Sequence, residues 1–268
     1  MGGKPSTIYK ESNQIIMDKI SIITASFNCV DEIEMSIKSV LEQDYPNIEY
    51  IIIDGASTDG TVDIIKKYDK YIDYWVSEPD DGLYYAMNKG IDAATGDWIY
   101  IHNAGGVFYE KDTLTKLFEH NLEGVDAFFG YIWSVKNQCF YRNPVPFYEQ
   151  KTKNKRPGYS HQALFVRTKW CKQYPFDTNY KCCADFNQAV QIWKAGAKFK
   201  YVDIPVAKSA PAGFSAKNKR LQFWENARLN GLDQTFDFKW HLFLFDLKKI
   251  LRNISKSIRN EESNHIGQ

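Results

Sequence analysis

At 268 residues, 44% of them hydrophobic and 15% aromatic, the chain is long enough to bury a full core, as one large domain or two small ones. Its 34 basic and 33 acidic side chains leave a formal charge of +1, so the basic footprint of a nucleic-acid binder is absent. The five cysteines, Cys29, Cys139, Cys171, Cys182 and Cys183, are scattered, odd in number and without paired ligand spacing, which argues against a disulfide framework or zinc site and for a reducing cytoplasmic setting.

The first 19 residues carry no apolar run of signal-peptide length and are read as an N-terminal extension; no segment of the chain is long enough to span a bilayer. Ile20 to Thr24 reads as a first strand that stops at Ala25-Ser26-Phe27-Asn28. Ile33, Ile37, Val40 and Leu41 then recur at helical spacing until Gln43-Asp44-Tyr45-Pro46 breaks the helix. A second strand, Tyr50 to Ile53, ends abruptly at Asp54-Gly55-Ala56-Ser57. Its unbroken apolar run suits a strand buried on both faces, as in parallel sheets covered by helices. Asp54 and Ser57 have two readings: caps of a helix starting near Thr58, or ligand contacts at the carboxyl end of a strand, where open α/β sheets bind their ligands. A third strand, Ile72 to Ser77, leads through Glu78-Pro79-Asp80-Asp81-Gly82 into a helix marked by Leu83, Ala86, Met87, Ile91 and Ala94, with Gly96 as its C-terminal signal. A fourth strand, Asp97 to His102, ends in Asn103-Ala104-Gly105-Gly106. Further strands are expected at 126–130, 131–135 and 162–166. The strand-helix alternation predicts a mostly parallel α/β sheet.

Neither a Gly-x-Gly-x-x-Gly turn nor a Gly-Lys-Ser/Thr phosphate loop occurs, so dinucleotide oxidoreductases and P-loop ATPases lose their support. The ordered succession 21–28, 39–46, 52–61 and 77–90, continued by Ala94-Thr-Gly-Asp-Trp98, His161-Gln162-Ala163 and Tyr180 to Asp185, resembles the family 2 glycosyltransferases. The resemblance covers roughly residues 20–215. It implies the GT-A fold, with a glycosyltransferase domain at 20–220, and an inverting transfer of a hexosyl or N-acetylhexosaminyl group from a nucleoside diphosphate sugar to a glycan or lipid-linked acceptor in polysaccharide biosynthesis.

By the same resemblance, Ala25, Ser26 and Asp54 hold the nucleoside, and Asn88, Lys89 and Asn103 complete the donor site. An ionised carboxylate offers only acceptors, which suits Asp54 to the N–H edge of a base. Asp185 matches the general base that takes the proton of the attacking acceptor hydroxyl, the alternative being a helix N-cap. His161, Gln162 and Gly213 lie in segments matched to the acceptor side. Two acids of the family pattern are replaced, by Tyr85 and by Gly106, the latter where an atypical version of the Asp-x-Asp metal motif would place its carboxylate. Mn²⁺ or Mg²⁺ would then depend on a rebuilt site using Asn103 or His161, with His102 and Asp81 as further candidates. Otherwise the enzyme uses no metal, the diphosphate being met by Lys89, Lys155, Arg156 or Lys208. A catalytically inactive sugar-nucleotide or glycan-binding relative and a nucleotidyltransferase are the competing readings.

Aromatics such as Tyr131, Trp133, Tyr141, Tyr159 and Phe214 are candidates to stack on sugar rings. From 221 to 268 the pattern changes: Leu247, Ile250, Leu251, Ile254 and Ile258 form an apolar stripe opposed by Lys248, Lys249, Arg252, Lys256 and Arg259. Such a segment suits the anionic inner surface of a membrane, giving a peripheral cytoplasmic protein, or alternatively packs on the domain or a homodimer partner.

Overall fold

The computed structural model describes residues 8–9, 15–143, 159–209, 218–240 and 242–245. In chain order the elements are β1 (Ile8–Tyr9), β2 (Ile15–Ile16), β3 (Ile20–Ser26), α1 (Val30–Leu41), β4 (Ile48–Asp54), α2 (Thr61–Lys67), β5 (Tyr74–Ser77), α3 (Leu83–Ala93), β6 (Trp98–Ile101), β7 (Val107–Phe108), α4 (Thr113–Phe118), β8 (Ala127–Ser134), β9 (Cys139–Tyr141), β10 (Leu164–Arg167), α5 (Thr168–Gln173), α6 (Ala184–Lys194), β11 (Phe199–Ser209) and α7 (Lys219–Leu229).

Nine of these strands form one sheet in the order β5-β4-β3-β6-β10-β8-β11-β7, with β9 paired to β8. The four strands β5, β4, β3 and β6 are mutually parallel, as the strand-helix alternation requires, whereas β10 runs antiparallel between β6 and β8. Every residue of β3, and all but the first of β4, is buried, which explains their unbroken apolar runs: helices cover both faces. One apolar cluster packs α3, α5 and α6 on one side of the sheet, and a second packs α1 and α4 on the other.

Several boundaries differ from the sequence reading for local reasons. The helix expected near Thr58 begins at Thr61, because Asp59 accepts from the Thr61 backbone and hydroxyl and closes a turn through Gly60 at φ +100°. The two strands expected at 126–130 and 131–135 are one, Ala127–Ser134. Gly96 does not end α3, which stops at Ala93 with Ala94 already extended. Its missing side chain serves a close approach, since a Cβ there would lie 2.7 Å from Ser21 Oγ and 2.8 Å from the Lys19 carbonyl. The boundary expected between 220 and 221 falls inside α7.

The amino ends of the parallel strands are tied by Glu49. Its carboxylate accepts from Lys19 Nζ at 2.8 Å, Ser21 Oγ at 2.5 Å, the Thr95 backbone N–H at 2.7 Å and the Thr95 hydroxyl. Burial alone would raise this carboxyl, but the hydrogen bonds from Lys19, Ser21 and Thr95 outweigh it and bring it from 4.5 down to about 2. A folded value below the unfolded one stabilises the native state at every pH above the ordinary carboxyl range, and the contribution is lost as pH falls through about 2. Glu49→Gln should therefore lower the melting temperature at pH 7 and flatten the fall in stability of the wild type between pH 5 and pH 2. Parallel acid-unfolding curves for the two proteins would contradict this role.

Candidate functional site

The parallel strands β5, β4, β3 and β6 end along one edge, and two clusters of polar side chains stand there. The first is built around Asp54, the last residue of β4, which is fully buried. Asp54 Oδ1 accepts from Ser26 Oγ at 2.9 Å and Ser57 Oγ at 2.6 Å, while Oδ2 accepts from the Ser57 N–H at 2.9 Å and Ser77 Oγ at 2.7 Å. These four bonds join the ends of β3, β4 and β5 and fill the carboxylate's acceptor capacity. Ser57 sits in the turn before α2, so Asp54 is not a helix cap but a knot between strands. Beside the knot, Phe27 is 65% exposed at the end of β3, and a Cβ at Gly55 would touch both its ring and the Asp80 carboxylate, at 3.3 and 3.1 Å. Gly55 thus keeps a recess open under an exposed aromatic ring.

The second cluster joins elements far apart in sequence. Asn103 Nδ2 lies 2.9 Å from His161 Nε2, and His161 Nδ1 lies 3.5 Å from Asp185 Oδ2. With the amide donating to Nε2, the imidazole carries its proton on Nδ1 and presents it to Asp185. The Tyr84 hydroxyl, from α3, reaches Asp185 Oδ1 at 3.4 Å. Asn103 Oδ1 is buried and without a partner among the described residues, an acceptor that a bound hydroxyl would satisfy. Asp185 stands in the first turn of α6, but the cap position is Cys183, and no side chain caps the helix.

What holds Asp185 in place is a buried carboxylate from α7. Glu225, 2% exposed, accepts from the backbone N–H groups of Lys181, Cys182 and Cys183 at 2.7, 2.8 and 2.9 Å. These are the N–H groups just before α6 begins, where a negative charge also complements the helix dipole. Sequence reading missed Glu225 because its partners lie some forty positions away and no local pattern links them. Tyr84, Phe27 and Ser77 were within quoted motifs, yet nothing in their spacing distinguished them from core or turn residues.

Other expected site residues are placed differently. The Ala25 side chain is 5% exposed inside the apolar cluster under α3, so only its backbone borders the strand ends. Asn88 spends its amide on the Phe176 backbone, donating to the carbonyl and accepting from the N–H, both at 2.9 Å, so it clamps α3 to the following loop rather than facing a donor. Lys89 is paired with Glu78 at 2.7 Å. The Gln162 backbone is fixed by Tyr100, whose hydroxyl donates to its carbonyl at 2.8 Å. Gly213, Lys155, Arg156, Phe214 and the stripe from Leu247 to Ile258 lie outside the described residues.

The described residues of this site do not fit a divalent ion. Among the described residues no group of three or more His, Cys, Asp or Glu side chains is arranged to hold one. A Cβ at Gly106 would lie 2.8 Å from the Asn103 carbonyl oxygen and 3.2 Å from His102 Cε1, so this turn has no room for the expected acid, or any side chain, without moving backbone. His102 is turned into the core: it is 1% exposed, stacked on Phe108 at 4.9 Å, and burial pushes its pKa down to about 4 against weaker hydrogen bonds that raise it. Among the described residues, Asn103 and His161 are joined by Asp185 as their carboxylate neighbour, a poor set for a hard cation.

Sheet order and helices on both faces define a mostly parallel α/β fold with polar clusters at its strand ends, and the comparisons make this specific. The sequence profile of glycosyl transferase family 2 matches residues 21–178, more than half of the chain. The chain belongs to that family, and its fold is GT-A. It is 35% identical over 151 residues to an uncharacterized glycosyltransferase of Mycobacterium tuberculosis, covering 54% of this chain and 57% of that one. Over 112 residues it is 38% identical to a Bacillus subtilis glycosyltransferase named for teichuronic acid biosynthesis, covering 41% of this chain and 44% of that protein. The matched stretches thus span about half the length of these relatives. Staphylococcus aureus TarS, residues 1–349, solved in complex with UDP-GlcNAc, superposes with a TM-score of 0.64 at 17% identity, over 80% of this chain and 66% of that one.

The Asp54 knot yields a direct test. Asp54→Asn keeps the shape but turns one acceptor oxygen into a donor facing hydroxyls and an N–H. It should cost about 1–3 kcal/mol of stability in the unliganded protein. Thermal or urea unfolding reads the loss; an unchanged midpoint would show that the four bonds do not hold the strand ends.

Proposed function

We propose that the protein is an inverting glycosyltransferase that moves a hexosyl or N-acetylhexosaminyl group from a nucleoside diphosphate sugar to a glycan or lipid-linked acceptor. The observation that carries this reading is the Asp185–His161–Asn103 arrangement beside the Asp54 strand-end knot, in a chain of this family. The nucleoside lies at the ends of β3, β4 and β5. There the Phe27 ring offers a stacking surface, and a base N–H replaces the Ser57 hydroxyl on Asp54, keeping its acceptor capacity filled. Ser26 closes the same rim.

Asp185 takes the proton of the acceptor hydroxyl as that oxygen bonds to the anomeric carbon; the bond from that carbon to the diphosphate breaks on the opposite face, and the nucleoside diphosphate leaves. His161 Nδ1 faces Oδ2 at 3.5 Å and so orients the carboxylate, leaving Oδ1, which the Tyr84 hydroxyl reaches at 3.4 Å, to receive the proton. Asn103 sets the imidazole tautomer. No step passes through a metal ion, because the Gly106 turn and its neighbours do not supply the ligands.

Two measurements test this. Asp185→Asn should lose a factor of about 10² to 10⁴ in turnover while a nucleoside diphosphate sugar still raises the melting temperature. Full activity in that variant would overturn the base assignment, and no thermal shift by any donor would overturn the donor site. Turnover and donor-induced shift should both persist in EDTA; strict dependence on Mn²⁺ would show that ligands have been misjudged.

The membrane surface is the proposed setting. Residues 236–240 and 242–245 are helical, and Phe236, Trp240, Phe243 and Phe245 are 82, 49, 54 and 40% exposed, while Phe238 anchors this segment by stacking on Phe223 of α7 at 5.1 Å. Exposed rings at positions 236, 240 and 243 share a helical face, and the basic residues from Lys248 onward follow in sequence. Among the described residues no helix is long and apolar enough to cross a membrane. The protein should co-sediment with phosphatidylglycerol-containing vesicles and release in high salt, and Trp240→Ala with Phe243→Ala should weaken this. Equal recovery with and without vesicles would argue for a dimer or domain contact instead.

A further inference from the structure

Beyond the point where β10 starts, β8 and β11 continue and are joined by β7 on one side and β9 on the other. Register aligns Val107, Lys208, Trp133 and Phe140 in one row across β7, β11, β8 and β9, so their side chains share a face. On that face Phe140 meets Tyr131 edge-on at 5.3 Å, Trp133 at 4.8 Å and Tyr109 at 5.6 Å. Two cations flank the rings. The Arg142 guanidinium lies 4.3 Å from the centre of Tyr131 and donates to its hydroxyl at 2.6 Å, and Lys208 Nζ lies 5.6 Å from the centre of Tyr109.

Rings grouped in this way often form a small private core, but here the face stays open: Phe140 is 39% exposed, Arg142 is exposed, and Trp133 and Lys208 are half-buried. Arg142 carries five N–H donors, and its partners among the described residues are the Tyr131 hydroxyl and Asp203 at 3.8 Å, the latter also holding Tyr201. Alternation along β8 puts Phe129, Tyr131 and Trp133 on the same side of the sheet. Phe129 belongs to the apolar cluster that contains Tyr84 and Ala184, next to Asp185. The row of rings therefore runs outward from the candidate catalytic centre.

We propose that this face binds the acceptor saccharide and selects one bearing anionic substituents. Trp133 and Phe140 supply apolar ring surface for pyranose C–H faces, and Arg142 and Lys208 supply charge-assisted donors to a carboxylate or phosphate. The inference rests on the reading of the protein as a glycosyltransferase.

Isothermal titration of the full chain with oligogalacturonate, phosphorylated maltooligosaccharide and neutral maltooligosaccharide tests it and separates carboxylate from phosphate recognition. At least one anionic probe should bind about tenfold tighter than the neutral one. Arg142→Gln should abolish most of that preference, and Phe140→Ala should weaken all binding, each with the donor-induced thermal shift intact. Unchanged saccharide affinity in these variants, equal affinity for neutral and anionic probes, or no saccharide binding by a wild type that still responds to donor would overturn the proposal. Absence of the donor response in the wild type would instead overturn the functional reading beneath it.

Discussion

A parallel sheet brings its strand ends to one edge, and polar groups gathered there must be satisfied if that edge is to hold a shape before any ligand arrives. In this protein the buried Asp54 carboxylate does this, because three hydroxyls and one N–H from the ends of β3, β4 and β5 converge on its two oxygens. A charge without water is costly unless its hydrogen-bonding capacity is filled, so the strand ends and the turn at Ser57 are fixed together or not at all. The recess beside Gly55 and Phe27 inherits its form from that knot.

The Asp185 half of the candidate site obeys the same logic at longer range. In the proposed mechanism Asp185 acts on an acceptor only if the start of α6 is held still, and the group that holds it is Glu225, a carboxylate on a helix near the end of the described chain. His161 and Asn103 then form a relay of orientation: the amide sets the imidazole tautomer, and the imidazole sets the carboxylate. The His161 imidazole and the Tyr84 hydroxyl, from two other segments, meet at the Asp185 oxygen pair. The glycine at position 106 belongs to this picture, because the backbone there has closed over the space a side chain would need.

The two halves differ in what fills them. Around Asp54 every donor and acceptor is paired, whereas Asn103 Oδ1 near Asp185 is a buried acceptor awaiting a donor. A pre-paired rim is suited to exchanging one hydrogen bond for another as a base enters, and an orphan acceptor is suited to gaining one from a substrate hydroxyl. The aromatic and cationic face on β8 and β9 extends from the second of these.

Much was legible in the chain itself. Apolar runs ending in Ser26, Asp54 and Asn103 are strands covered on both faces, and turn residues after each one place polar groups at the carboxyl edge; that follows from local periodicity and needs no tertiary contact. That Asp185 and His161 stand side by side was not legible, since 24 positions separate them and the resemblance assigned each a role without a contact. Which side chains face the site was not legible. Asn88 looked like a donor ligand and is bound to Phe176, His102 looked like a metal candidate and is stacked in the core, and Lys89 is held by Glu78. The sequence alone determined the parallel α/β sheet and the polar strand ends, because these depend on hydrophobic period and turn chemistry. The tertiary structure decided which of those groups are spent on one another and which remain for a substrate, because hydrogen-bond satisfaction is settled by neighbours in space and not along the chain.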